Sequence, residues 1–269
     1  MKTNDIYQDV TNQIIAALET GVAPWTKSWN STLSIPHNAS SNRMYNGVNV
    51  LITWLSGYNS QGWVTYGQAK KMGGQVKKGE KSTRIIHYKM ITVGEGDDKR
   101  TFPKVTPWSI FNTEQCEGIE LPEAAIQDRD TTVTLIADKN KVNVKYDGSS
   151  PRYIPSEDQI RMPAVDDFNT EKDFEATLLH EMIHWTKTKK RLHRELSYAE
   201  EELVAELGAA FAGARLGFTL ENLQHDSYID SWLKLLKGDD KAIFKAAKQA
   251  QKAVEFILGK QTQGVIIEK

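Results

Sequence analysis

Apolar positions recur with helical spacing near both ends of the chain and with shorter, strand-like spacing between them. Ile6, Val10, Ile14, Ala17 and Leu18 form one stripe and predict a helix over residues 4–20. Gly21 ends it and Pro24 keeps it from resuming. A loop through Trp25, Trp29 and Pro36 follows, and then Asn46 to Leu55 reads as a second helix, broken over Asn59 to Gly62. Trp63-Val-Thr-Tyr66 precedes a short helix, Gly67 to Gly74, closed by glycines. Val76 to Tyr88 predicts a hairpin turning at Lys78-Gly79-Glu80-Lys81. Residues 94–100 form a polar tip before another strand through Ile110 and Phe111. Together these elements predict a small α+β module.

Farther along, helices dominate. Asp158 to Pro163 alternates polar and apolar and then stops at proline, which predicts a short edge strand. Thr170 to Lys190 reads as a helix opened by a capping box of Thr170 and Asp173, with Phe174, Leu178, Leu179, Met182 and Ile183 on its apolar face. A helix over Tyr198 to Phe211 is rich in small residues that permit close packing.

Composition places a boundary on this pattern. The chain has 269 residues, 39% hydrophobic and 26% charged, which is ordinary for globular domains. Its formal net charge of −1 hides an asymmetry. Residues 1–120 carry a net +3 and residues 121–269 a net −4, and five of the seven tryptophans precede residue 120. Two domains, 1–120 and 121–269, are therefore expected. No apolar run approaches the roughly 18 residues of a membrane span, and no signal-peptide core follows Met1, so a cytoplasmic protein is expected. The lone Cys116 excludes an internal disulfide and a cysteine-rich metal site.

Candidate chemistry enters at His180-Glu181-Met182-Ile183-His184, an HExxH sequence. On a helix, positions i and i+4 share a face, so both imidazoles can reach one metal ion. The intervening glutamate can then act as general base on a zinc-bound water. A third protein ligand is needed. A histidine six residues past His184 would supply it in one common arrangement, but that position is Lys190. An acid on the following helix is the other arrangement, and Glu202 and Glu206, one turn apart, are its candidates. Glu200 and Glu201 are expected to be solvated acids of the first turn. Tyr153, His193 and Tyr198 are the nearby groups able to stabilise an oxyanion.

In the first domain, bases interleave with aromatics. Trp63, Tyr66, Lys70, Lys71, Lys77, Lys78, Lys81, Arg84 and Tyr88 suggest contacts to single-stranded DNA, or to DNA of either strandedness held non-specifically.

Two resemblances sharpen this. The stretch Glu201-Glu202-Leu-Val-Ala-Glu206 resembles the NExxSD segment of thermolysin-like gluzincins, which implies that Glu202 binds zinc and that Glu206 orients a ligand histidine, with the reverse assignment still open. More broadly, Thr20-Gly-Val-Ala-Pro-Trp25, Trp63-Val-Thr-Tyr-Gly-Gln-Ala69 and Phe111-Asn-Thr-Glu-Gln115 resemble the N-terminal domain of ArdC-type antirestriction proteins. Thr177 to Thr186 and Glu201 to Phe211 resemble the two zinc helices of that family, and Tyr228 to Leu233 with Ala246 to Leu258 its helical tail. One departure is Lys187-Thr188, where the family usually has Gly and His. The resemblance implies an N-terminal single-stranded-DNA-binding domain followed by a zincin-like metallopeptidase domain. The function expected is an antirestriction protein of a mobile element, with Glu181 as general base acting on an unknown protein. The alternative is a non-catalytic protective coat on DNA whose zinc domain is structural.

Overall fold

The computed structural model describes residues 3–21, 23–25, 35–121, 131–217 and 226–260. Ile6, Val10, Ile14 and Leu18 lie on one face of α1 (Thr3–Glu19), and all four are buried. Trp29, in the loop expected after this helix, lies outside the described residues. A five-stranded sheet follows, built from β1 (His37–Asn38), β2 (Arg43–Met44), β3 (Gly62–Val64), β5 (Thr83–Val93) and β6 (Arg100–Asn112) in the order β2-β1-β3-β6-β5. Between its strands lie α2 (Val48–Leu55) and α3 (Tyr66–Lys71). Thr65 caps α3 in a reciprocal capping box with Gln68. A separate ribbon pairs β4 (Gln75–Val76) with β7 (Cys116–Glu117).

The hairpin expected over Val76 to Tyr88 does not form. The chain does turn at Gly79 (φ 91°), but the residues on either side enter different sheets. β4 docks on β7 because Gly74 lets the backbones approach; a Cβ there would strike Glu117 and Ile119. The hairpin that forms is β5–β6, pairing Thr83 with Ile110 through to Val93 with Arg100. Its tip is the polar segment at residues 94–99, where Gly94 (φ 94°) leaves no room for a side chain against the Asp98 carbonyl.

The second half begins with α4 (Val133–Lys139) and a small sheet of β8 (Asn143–Lys145), β9 (Arg152–Ile154) and β10 (Gln159–Arg161). β10 is the centre of this sheet, not its edge. Ile160 pairs with Val144 on one side and Tyr153 on the other, and it is fully buried. Pro163 lies beyond the last paired residue, so it interrupts nothing. Four helices complete the described residues: α5 (Glu171–Trp185), α6 (Tyr198–Leu216), α7 (Asp226–Gly238) and α8 (Ala242–Leu258).

One apolar core runs through both halves. α1 packs on α7, and α2 packs on α8. Tyr7 meets Phe244 edge-on at 4.6 Å, Trp25 meets Trp232 at 5.6 Å, and Trp54 meets Phe211 at 5.8 Å. Thr11 donates to the Asp240 carbonyl at 2.7 Å across the same boundary. No helix of the described residues is long and apolar enough to cross a membrane. Cys116 is a buried free thiol, and burial pushes its pKa up.

Candidate functional site

The site stands where α5 and α6 meet. Thr170 caps α5, its hydroxyl accepting from the Asp173 amide at 3.1 Å. The helix carries His180 and His184 on successive turns of one face and ends at Trp185, earlier than the residue 190 that periodicity suggested. The chain then loops back on itself, with the Arg194 amide donating to the Lys187 carbonyl at 2.9 Å. That return puts the Arg194 guanidinium against the end of α5. It donates to the Ile183 carbonyl at 2.8 Å and to the Thr186 hydroxyl at 2.7 Å, which fastens the loop to the end of the helix. Ser197 then starts α6 in a capping box with Glu200.

From Glu201 to Ala214 every residue of α6 is buried. Its close approach to α5 depends on Gly208, where an added Cβ would lie 2.8 Å from Ile183 side-chain carbons. The contact brings Glu202 under the two histidines. His180 Nε2 and His184 Nε2 are 3.1 Å apart. Glu202 Oε2 lies 3.6 Å from the first, and its Oε1 lies 3.5 Å from the second. Ligands about 2 Å from a tetrahedral ion sit roughly 3.3 Å from one another. Two imidazole nitrogens and one carboxylate at these separations fit a divalent ion, and the set is the common one for catalytic zinc.

The outer nitrogens face carboxylates. His180 Nδ1 faces Glu206 Oε1 at 3.4 Å, and His184 Nδ1 faces Glu201 Oε1 at 3.1 Å. Glu206 therefore stands behind the His180 ring, on the side away from the converging nitrogens. Arg194 grips Glu201 with two donors, at 3.0 and 2.8 Å. The expectation that Glu201 is solvated fails: it is 6% exposed and carries the charge that orients His184. Glu201 shares a helical row with Ala205 and Gly208, a pattern that marks it as inward-facing. Arg194 was not singled out from the sequence.

Carboxylates dominate the local electrostatics. Burial works against charge on His184, but Glu201, Glu202 and Glu181 outweigh it and raise its pKa to about 9. Burial likewise opposes charge on Glu202, yet the two imidazoles bring it down to about 2. Glu201 is held below the usual carboxylate range by His184 and Arg194 despite its burial. The cluster demands positive charge at its centre.

An open cleft of about 520 Å³ gives access to these groups. Glu181 lines it at 6% exposure. Arg152 and Tyr153 of the edge strand β9 form one side. Tyr153 donates its hydroxyl to Asp158 at 2.8 Å, and Asp158 pairs with Arg191, so this tyrosine ties the sheet to the end of α5. Tyr198 also lines the cleft, with its hydroxyl 3.1 Å from that of Tyr228, a neighbour the sequence reading missed. His193 is absent from the cleft lining and pairs with Glu195 at 3.0 Å.

The residues proposed for DNA separate. Trp63 is 1% exposed and packs edge-on against Tyr58 at 5.6 Å, so it has no face for a base; it sits in β3 at the middle of the sheet. Tyr66, Lys70, Lys71, Lys77, Lys78, Lys81, Arg84 and Tyr88 are exposed. Lys70 lies over the Tyr66 ring at 5.2 Å, and Lys77 donates to the Glu114 carbonyl at 2.9 Å. Tyr88 lines a groove that none of the others lines.

Residues 131–249 match the zincin-like metallopeptidase family, and residues 4–129 match the N-terminal domain of the anti-restriction factor ArdC. The metal-free crystal structure of antirestriction protein ArdC from plasmid R388 is similar over 94% of this chain and 97% of that one, at 34% identity and a TM-score of 0.81. The chain belongs to the ArdC antirestriction family. The Mn(II)-bound structure of the R388 ArdC protein is similar at 32% identity and a TM-score of 0.77, covering 97% of this chain and 99% of that one. Among sequences, protein y4eC of Sinorhizobium fredii is 33% identical over 96% of this chain and 93% of its own length. A DNA primase TraC of Escherichia coli is 31% identical over 94% of this chain, which spans only 27% of that primase. ArdC membership and the donor set together make the His180, His184 and Glu202 cluster a divalent metal site.

Proposed function

We propose that this ArdC-family protein is a zinc-dependent peptidase that is held on single-stranded DNA and acts on a protein there. The observation carrying the catalytic half is the convergence of two histidine Nε2 atoms, 3.1 Å apart, on the Glu202 carboxylate, with Glu181 buried beside them in an open cleft. Zinc, when bound to His180, His184 and Glu202, would acidify water and polarise a scissile carbonyl. Glu181 would accept the proton from that water and pass it to the departing amine. Glu201 and Glu206 would hold the two ligand rings in the tautomer that presents Nε2. Tyr198 and Tyr228 bring hydroxyls to the cleft that could donate to a developing oxyanion. The edge of β9 offers unpaired backbone to an extended peptide. DNA binding is supported by the N-terminal ArdC match.

Glu181→Ala in the full chain tests the peptidase reading. The variant is expected to keep its metal by elemental analysis and to lose peptide cleavage by about 10²–10⁴-fold. Protection of incoming plasmid DNA from restriction should fall with it. Full protection by a metal-loaded Glu181→Ala protein would overturn the peptidase reading and leave a protective coat on DNA.

A further inference from the structure

The groove lined by Tyr88 stands apart from the metal centre. It encloses about 1050 Å³ between the β5–β6 hairpin and α8. Trp108 from β6 also lines it, half exposed at 49% and stacked on His87 at 5.0 Å with an interplanar angle of 20°. Tyr88 is similarly exposed at 47%, but it lies three residues from Ile85, the cross-strand partner of Trp108, so it is on the other face of the hairpin, where it meets Tyr7. The opposite wall is a lysine row. Lys241, Lys245, Lys248 and Lys252 lie at i, i+4, i+7 and i+11 on α8 or at its start, and all are exposed. At 1.5 Å per residue the row covers about 16 Å of helix axis.

The charge is one-sided. Arg43 adds a fifth base at the end near β2, and Glu255 is the one acid among the lining residues. Lys245 is partly engaged, pairing with Asp239 at 2.7 Å, and Lys241 sits 5.6 Å above the Tyr7 ring. Lys248 and Lys252 form no ion pair among the described residues, and Glu255 accepts from the Gln251 amide at 3.0 Å. An exposed indole and a row of ammonium groups lining one groove suit a polyanion whose bases are free to stack. In a duplex the bases already stack on one another, so the indole would have nothing to hold.

We infer that single-stranded DNA lies in the groove between the β5–β6 hairpin and α8, its phosphates on the lysine row of the peptidase half and a base on Trp108. This rests on the single-stranded-DNA reading above and relocates it. The basic cluster at Lys77, Lys78 and Lys81 is then a solvated face, and the strand is held jointly by both halves. Since α8 packs directly on α6, the bound strand is one helix away from Glu202.

The test is binding of a fluorescein-labelled oligothymidine to the full chain, followed by anisotropy across a salt titration. Lys248→Glu/Lys252→Glu should weaken binding at least about tenfold and flatten the slope of log K against log salt by roughly 1.4, the value for two phosphate contacts. Trp108→Ala should weaken binding about tenfold with the slope unchanged. Lys77→Glu/Lys78→Glu/Lys81→Glu should leave both unchanged. Every variant is first matched to the parent in metal content and melting temperature. If the groove variants bind like the parent while the triple variant loses affinity, the groove assignment is overturned and the DNA-binding reading stands. If the parent itself does not bind the oligonucleotide, both fall together.

Discussion

Each ligand histidine has a carboxylate behind it, and the two are not equivalent. Glu201 is fixed by Arg194, whose side chain is 1% exposed, whereas Glu206 sits deeper in the helix pair at 3.4 Å from His180. Removing such an orienting group costs metal affinity without removing a ligand, typically about 10–100-fold. Glu201→Ala should therefore weaken metal binding by that factor in a chelator competition; unchanged affinity would mean that His184 needs no anchor. Arg194→Met should do more damage to stability, because it leaves the buried Glu201 charge with His184 as its one remaining side-chain partner. A cost of about 3–5 kcal/mol is expected in denaturant unfolding. At this scale the HExxH pair was legible because helical period dictates who can meet whom. The period also admitted both Glu202 and Glu206, and only packing separates them: one lies among the Nε2 atoms, the other behind a ring. Glu201 was misjudged because a first-turn acid is ordinarily solvated, and here the loop through Arg194 covers it.

The two helices that form the site are long and start where expected, although α5 stops at Trp185 rather than Lys190 and α6 runs on past Phe211 to Leu216. The short strands depart further. β4 and β10 are two and three residues long, and their partners, β7 and β8 with β9, are set by contacts remote in sequence. A glycine turn at residue 79 looks like a hairpin until one sees that β4 has docked elsewhere. The decisive element-level contact is the crossing of α5 and α6. Gly208 has no space for a side chain against Ile183, which is β-branched and cannot swing away cheaply. Gly208→Val should force the helices apart at a cost of about 1–3 kcal/mol. Because the crossing also sets the distance from Glu202 to the histidines, metal affinity should fall in the same variant. A destabilised Gly208→Val protein with parental metal affinity would show that the ligands adjust independently of the helix spacing.

Across the whole molecule, charge and tryptophan content change near residue 120, but the packing is continuous. Ile14 of α1 and Ile243 of α8 are both fully buried in one core, and Lys237 pairs with Glu19 at 2.7 Å across the same boundary. Composition reports the surface each half presents; it carries no information about which buried faces meet, so this continuity was not readable in the sequence. It has a thermodynamic consequence. A ligand that binds only the folded state stabilises whatever unfolds cooperatively with its site, by about 2.7 kcal/mol at a hundredfold excess over Kd. For a cooperative unit of this size that is a rise of roughly 5–10 °C in a single melting transition. Adding Zn(II) or Mn(II) should accordingly slow hydrogen exchange not only in α5 and α6 but also at the β3 amides of Trp63 and Val64, which belong to the other half. Ile14→Ala, at a cost of about 2–5 kcal/mol, should lower that same transition and weaken metal protection everywhere. Two separate transitions, with only the second half responding to metal, would show that the shared core does not couple the halves and that the DNA-binding face and the metal centre can unfold apart.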